Sequence, residues 1–222
     1  VVEVKIGYDG IVLAESKAAP GLPLTLRDIY LGLAKQVPNP NGTESLVPNP
    51  YKTWKDVNPS WPDKAIKVYS PGTDSGTFDY FKEVVAGKKG SIRSDMSVSE
   101  DDNVLVRGVS GDEGGIGFFG VAYYLENKDT LRAMPIVTKA GKAVVPSPKT
   151  IENGTYNPFS RPLFIYVKAN AARKPFVRAF VDFYLRNAAK SASEVGYVGL
   201  PEVIYDRARE TFETRRTGSF FL

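Results

Sequence analysis

The chain of 222 residues contains no cysteine and no histidine. The absence of cysteine excludes disulfide bonds and a thiol nucleophile, and the absence of histidine excludes a Ser-His-Asp triad and histidine-containing zinc sites. No apolar run reaches about 18 residues, so the sequence predicts no membrane-spanning helix. The first stretch, VVEVKIGYDGIVLA, carries Glu3 and Asp9 and lacks a small-residue cleavage site, so we do not expect it to be a signal peptide.

Positive charge is only slightly in excess, with 29 Lys and Arg against 25 Asp and Glu and a net charge of +4. This excess favours the attraction of anions. The basic residues are scattered among acidic ones, however, and the densest cluster, at 207–216, also contains glutamates. We therefore expect a solvated helix face there and no nucleic-acid partner.

Hydrophobic periodicity indicates strands and helices in alternation, which is typical of an α/β protein. Apolar and β-branched residues predict strands at 2–7 and 10–14, separated by a turn at Tyr8, Asp9 and Gly10. The spacing of apolar residues predicts a helix over 24–36, with Thr25 as its N-cap. Tyr8 and Asp9 are candidates either for lining a cleft or for making that turn.

Three further segments have clear patterns. Residues 37–63 are rich in Pro, Asn and Gly, which predicts a long surface excursion. Residues 97–111 resemble a capped helix that begins at Ser97 or Ser99. Near the C-terminus, a predicted helix places four aromatic residues on one side, namely Phe176, Phe180, Phe183 and Tyr184.

The stretch SPGTDSGTFDYFKE, residues 70–83, lies between a predicted strand at 64–70 and a predicted helix at 76–86. Serine and threonine at a helix start are common caps, and for TDSGT alone a cap is the simplest interpretation. Several hydroxyls occur together, however, and Gly72 and Gly76 remove side chains where a ligand would need access to the backbone. Since the turn follows a strand directly, an oxyanion bound at the helix N-terminus is the alternative.

This turn does not match a Walker P-loop, because no Gly-Lys-Ser/Thr sequence follows it. The aromatic residues after it, Phe78, Tyr80 and Phe81, have helical spacing, and we expect them to belong to the core rather than to a ligand platform.

The wider sequence resembles the phosphate-binding proteins of bacterial ABC phosphate-uptake systems. The segments that carry the resemblance are, in chain order, YDGIVLA, LTLRDIYLGLAKQ, NPYKTWKDVNPSWPDKAIKVYSPGTDSGTFDYF, SEDDNVLVRGVSGDEGGIGFFGVAYY, SRPLFIYV and SEVGYVGLP. The resemblance implies a type II periplasmic-binding-protein fold, in which two α/β lobes joined by crossover strands close on one phosphate. It also implies a periplasmic or cell-surface protein that delivers phosphate to an ABC permease, without catalysis, cofactor or metal.

The resemblance places the phosphate turn of the family on Asp74, Ser75, Gly76 and Thr77. Ser75 and Thr77 would donate hydroxyls, and the N–H groups of Gly76 and Thr77 would complete the cradle. Asp74 would have a supporting role.

Many family members carry an Arg shortly before the turn, where this chain has Ser70, Pro71 and Gly72. Arg93, in SIRSDM, is the candidate replacement, with Asp95 or Asp74 holding its guanidinium. The alternative for Arg93 is an exposed loop arginine.

The resemblance also implies a division of the chain between two lobes. Residues 9–162 are expected to form a complete second lobe, and residues 1–8 and 163–222 to supply crossover strands and the C-terminal remainder of a partial first lobe. The N-terminal part of the first lobe is then expected to be missing or to be a separate chain, so that this chain holds at most half of the clamp.

Two other classes of function are open from the residues alone. One is a surface interaction or adhesin-like module that reuses the fold, because a fold does not fix a function. The other is a serine-dependent hydrolase, in which Ser75 would need a Lys or carboxylate base, although no Ser-x-x-Lys begins at Ser75.

Overall fold

A computed structural model of the chain describes residues 1–219. These residues form two compact units. The first unit comprises Val1–Gly10, Pro148–Thr155 and the chain from Ser160 onward, and the second comprises Ile11–Ser147 and Tyr156–Phe159. Strands and helices alternate along much of the chain, as expected for an α/β protein. Within the described residues, no helix is both long and apolar enough to cross a membrane.

The second unit contains most of the regular structure. Its strands are the later part of β1 (Val2–Ser16), β2 (Leu24–Thr25), β3 (Gln36–Pro38), β4 (Leu46–Pro48), β5 (Lys67–Pro71), β6 (Ser97–Ser99), β7 (Gly115–Gly120), β8 (Leu131–Ala133), β9 (Ile136–Val137) and β10 (Ala143–Val144). Its helices are α1 (Leu26–Leu33), α2 (Trp54–Val57), α3 (Gly76–Ala86), α4 (Asp102–Ser110) and α5 (Val121–Glu126).

In the main sheet of this unit, β5 pairs in parallel with β6 on one side and β7 on the other. Strand β1 pairs antiparallel with β7. Helices α3, α4 and α5 follow β5, β6 and β7 directly. Because parallel strands end at the same edge of a sheet, the three helices begin at that edge.

The core of the second unit contains a group of stacked aromatic rings. Phe81 of α3 stacks on Phe118 of β7, with ring centroids 3.8 Å apart, and its centroid lies 5.6 Å from that of Phe159. Phe78 and Phe81 are buried, as predicted, whereas Tyr80 is half-buried and donates its hydroxyl to the carbonyl of Pro158. This packing fixes α3 against the sheet and so fixes the turn that precedes it.

The first unit is smaller. It contains the beginning of β1, α6 (Pro148–Glu152), β11 (Ser160–Val167), a 3₁₀ turn (Ala171–Arg173), α7 (Pro175–Glu194) and α8 (Glu202–Glu213). Strand β1 pairs antiparallel with β11, and the core of the unit joins Val2 and Val4 to apolar residues of the two long helices, Val181, Leu185, Ala188, Tyr205, Ala208 and Phe212.

The predicted turn at Tyr8, Asp9 and Gly10 is wrong, because these residues belong to the continuous strand β1 and pair with Pro162, Arg161 and Ser160. The carboxylate of Asp9 forms an ion pair with Arg161 at 3.0 Å. Pairing with β11 therefore keeps the backbone of these residues extended, where a turn was expected. Such a partner lies about 150 residues away in sequence and leaves no local signal.

Two other predictions need correction. Residues 37–63 are more than a surface excursion, because they contain β3, β4 and α2, and Trp54 is buried with its indole N–H donated to the carbonyl of Gly114. Ser97 and Ser99 do not start a helix. They lie in β6, and α4 begins at Asp102 with Asp101 as its N-cap.

Other predictions are confirmed. Helix α1 is capped by Thr25, as predicted, and the Thr25 side chain accepts from the N–H of Asp28, but the helix spans Leu26–Leu33 and not all of 24–36. Helix α3 has the predicted bounds. The aromatic residues Phe176, Phe180 and Phe183 do share one side of α7, but that side is exposed.

Glu15 is a buried carboxyl group in the second unit, on β1. Its Oε1 atom has no hydrogen-bond partner among residues 1–219. It borders a small apolar cavity whose wall includes Leu24, Trp54 and Met134. A buried carboxylate with an unpaired oxygen is unfavourable, so burial raises the pKa of Glu15 to about 7.

Three charged groups face Glu15 from neighbouring elements. Arg132 is its cross-strand neighbour on β8, and Lys64 and Glu113 border the same cavity. A backbone hydrogen bond from Gly21 and the charge of Arg132 lower the pKa, but burial is the larger effect.

We predict that the stability of the second unit falls as pH rises. The neutral Glu15 carboxyl is favoured in the folded state, so its contribution is fully present below its ordinary pKa of 4.5 and is lost as pH rises through about 7. The loss is at most about 3 kcal/mol. Glu15→Gln should remove this part of the pH dependence and be more stable than wild type at pH 8, as measured by urea unfolding.

Glu44→Gln, at an exposed loop position, is the control and should keep the wild-type pH profile. Equal pH profiles for wild type and Glu15→Gln would show that the buried carboxyl has no role in this dependence.

Candidate functional site

The turn predicted to hold an anion lies between β5 and α3. The N–H of Ser75 donates to the carbonyl of Gly72 at 3.0 Å, which closes the turn, and the buried Ser70 before it donates its hydroxyl to the carbonyl of Pro71. Ser75 and Thr77 are half-buried, whereas Asp74 and Gly76 are exposed. The turn is thus accessible at the edge of the sheet where α3 begins.

Ser75 is the N-cap of α3. Its backbone is extended, and its Oγ atom accepts from the N–H of Thr77 at 3.2 Å. The cap interpretation of this motif is therefore correct. A hydroxyl that accepts one hydrogen bond still carries a proton that it can donate, so capping the helix and binding an anion are compatible roles for Ser75.

Arg93 is buried rather than exposed on its loop, so the alternative of an exposed loop arginine is wrong. Its Nε and Nη2 atoms donate to the two carboxylate oxygens of Asp95, each at 2.7 Å. Its Nη1 atom donates to the carbonyl of Gly32 at 3.0 Å. These hydrogen bonds lower the pKa of Asp95 to about 2, so the carboxylate stays charged at neutral pH.

Asp95, and not Asp74, is thus the residue that orients the guanidinium. The backbone N–H of Arg93 also donates to the carbonyl of Leu33, so Arg93 is fixed to the C-terminal end of α1. Helix α1 packs against α3, the helix that begins at the turn. The structure therefore brings Arg93 and Asp95 together. It links Arg93 to the helix that begins at Ser75 through the packing of α1 on α3.

Glu100 is a residue at this edge that sequence reasoning missed. Its carboxylate lies directly over Gly72, where an added Cβ atom would be 1.4 Å from Oε1. At Gly72 the space that a ligand was expected to use is thus occupied by this side chain. Glu100 reaches this place because Pro71 pairs in parallel with Ser99, which brings together the residues that follow the two strands, and no local motif in the sequence signals this pairing.

The turn is consequently exposed to charges of both signs. The N-terminus of α3 favours an anion, whereas Glu100 places a negative charge beside it. A cation near the turn would offset the charge of Glu100.

Comparisons with known proteins identify the family of the chain. Residues 1–188 match the PBP superfamily domain. The chain is 44% identical over 220 residues to protein SphX of Synechococcus elongatus, a match that covers 99% of this chain and 62% of SphX. It is 39% identical over 204 residues to the phosphate-binding protein PstS of Staphylococcus haemolyticus, covering 91% of this chain and 59% of PstS.

A solved structure shares the fold closely. The crystal structure of a possible phosphate-binding protein from Planctomyces limnophilus superposes with a TM-score of 0.85 at 33% identity, covering 97% of this chain and 73% of that one. The chain spans about three-fifths of the length of the two curated relatives. Because residues 1–188 match the model of this family, the chain belongs to the PBP superfamily.

Proposed function

We propose that this chain belongs to a solute-binding protein for inorganic phosphate, and that the turn from Asp74 to Thr77 is its main contact with the anion. The observation that carries the proposal is the geometry of Ser75, whose Oγ caps α3 while its proton remains available to a ligand. The hydroxyl of Thr77 would add a further donor, and the positive end of the α3 dipole would attract the anion. The N–H of Thr77, which donates to Ser75 Oγ, would be shared with the anion. The PstS relative is named as a phosphate-binding protein, which supports this choice of anion.

In this proposal Arg93 supplies the cation. Its described contacts use three of the five guanidinium N–H groups, which leaves one on each terminal nitrogen. Two N–H groups in this arrangement fit two oxygens of one phosphate. Asp95 would hold the fork in its orientation.

The proposed role is binding and delivery, without catalysis. Residues 9–162 would form the second lobe, residues 1–8 and 163–222 would contribute to the first, and closure of the lobes would enclose phosphate for transfer to an ABC permease. The protein would act outside the cytoplasmic membrane, in the periplasm or at the cell surface. The described partner of the Ser75 hydroxyl is an amide N–H and not a base, which supports a binding role.

The donors of the opposite lobe would come from the portion of the fold that this chain does not span, as part of a longer chain or as a separate one. A phosphate ion loses strong hydration when it binds, and donors on one side offset only part of that cost. The chain by itself should therefore bind phosphate weakly.

Substitutions of Ser75 test the central contact, because two of them separate its two roles. Ser75→Ala removes the cap and should cost about 1 kcal/mol of stability. Ser75→Asp keeps a good N-cap, so stability should stay near the wild-type value, but its carboxylate repels the anion. We expect Ser75→Asp to weaken phosphate binding at least tenfold in isothermal titration calorimetry.

Ser45→Asp, at an exposed loop position, adds the same charge and should leave phosphate binding unchanged. If Ser75→Asp bound phosphate as well as wild type, the turn would not be the contact. Binding of sulfate as strong as that of phosphate would argue against a phosphate-specific protein.

Arg93 gives a second test. Arg93→Ala should weaken phosphate binding at least threefold, and Arg93→Lys should lie between it and wild type because Lys keeps the charge but not the fork. Lys88→Ala, which removes one exposed positive charge after the C-terminal end of α3, is the control for net charge. A loss of less than threefold in a folded Arg93→Ala protein would eliminate Arg93 as a ligand.

A further inference from the structure

A cleft of about 410 Å³ lies in the first unit, between α7, α8 and the 3₁₀ turn that precedes α7. All of its lining residues belong to these three elements. Leu185 and Phe212 lie at its floor, because both are buried and belong to the core of the unit. The cleft is thus a depression along the seam of the two long helices.

Arginine is the commonest residue in the wall of this cleft. Four arginines and two acidic residues line it, namely Arg173, Arg178, Arg186, Arg209, Asp182 and Glu213. Positive charge is therefore in excess here, although basic and acidic residues alternate along the sequence at 207–216. The fold produces this excess by bringing one arginine of that cluster to three others from α7 and the turn before it.

Two of the arginines are held in place by acidic neighbours on their own helices. Arg186 donates from Nε to Asp182 at 2.8 Å, and Arg209 donates from Nη2 to Glu202 and Asp206. Within residues 1–219 these are the described hydrogen bonds of the two guanidiniums. Both terminal nitrogens of Arg186, and Nε and Nη1 of Arg209, are therefore left to donate to a ligand.

The positive charges of the cleft oppose one another. The hydrogen bond with Asp182 raises the pKa of Arg186, whereas the nearby positive charge of Arg209 lowers it. Arg173 and Arg178 form no ion pair with an acidic side chain in the described part of the chain. An anion between the two helices would relieve this repulsion.

The spread of the arginines indicates the size of the anion. Arg178 and Arg186 are eight residues apart, so their Cα atoms are separated by about 12 Å along α7. Guanidinium groups pair with two phosphate oxygens at a time. One phosphate ion is too small to engage arginines along this length, whereas a linear chain of phosphate groups offers oxygens to each of them.

We propose that the cleft between α7 and α8 is an anion site whose ligand is a short chain of condensed phosphate, such as tripolyphosphate. Arg186 and Arg209 would contact the chain from the two helices, and Arg178 would contact it nearer the start of α7. The site lies in the other unit from the turn at Asp74–Thr77, and it does not depend on the proposed function of that turn.

The test is calorimetric titration of the 222-residue chain with tripolyphosphate in low-salt buffer. Arg178→Ala combined with Arg209→Ala should weaken binding at least tenfold. Arg107→Ala combined with Lys128→Ala removes the same charge from exposed positions of the second unit and should change binding less than twofold. Circular dichroism verifies that both double variants are folded.

Glu213 provides a variant with the opposite effect. Its carboxylate lines the cleft and opposes an anion, so Glu213→Gln should strengthen tripolyphosphate binding about threefold. A folded Glu213→Gln protein with weaker binding would contradict this placement of the ligand.

ATP carries a similar phosphate chain and distinguishes an inorganic ligand from a nucleotide. Phe212 is buried and offers no exposed ring on which a base could stack, so ATP should bind more weakly than tripolyphosphate. Tighter binding of ATP would overturn the assignment to an inorganic chain.

Ser75→Asp separates this site from the phosphate turn. It should leave tripolyphosphate binding unchanged, because Ser75 lies outside the cleft. Loss of tripolyphosphate binding in Ser75→Asp, or wild-type binding in the Arg178 and Arg209 double variant, would overturn the proposal. Orthophosphate is titrated separately, so failure of the turn and failure of the cleft are distinguishable.

Discussion

Because β5 pairs in parallel with both β6 and β7, the helices that follow these three strands begin at one edge of the sheet. The candidate site depends on this pairing. It brings the N-terminus of α3 and the Glu100 side chain to the same place, although they come from separate segments. The stacking of Phe81 on Phe118 then holds α3 in position, so the turn has a rigid support.

The charges around the turn suit an anion only in combination. The Glu100 carboxylate over Gly72 opposes an anion, while the start of α3 attracts one. The guanidinium of Arg93 is held by three hydrogen bonds, since Asp95 fixes two of its nitrogens and the carbonyl of Gly32 on α1 a third. A buried guanidinium held in this way would lose little freedom on binding an oxyanion, which supports the proposal that Arg93 supplies the cation.

Local sequence patterns predicted local structure well and long-range pairing poorly. The bounds of α3 and the caps Thr25 and Ser75 follow from residues within one helical turn. The continuous strand β1 depends instead on pairing with β11, and the burial of Arg93 depends on the carbonyl of Gly32. Glu100 was missed for the same reason, because its place at the turn follows from the register of two strands and not from a motif.

In the proposed site, the first turn of α3 holds phosphate. The most direct measurement is a phosphate titration of the ¹⁵N-labelled chain followed by amide-resolved nuclear magnetic resonance. We predict that the largest shifts occur at the amides of Gly76 and Thr77, with smaller shifts around Arg93. Saturable shifts located elsewhere, for instance at Arg178 and Arg209, with none at Gly76 and Thr77, would show that the first turn of α3 is not the phosphate site.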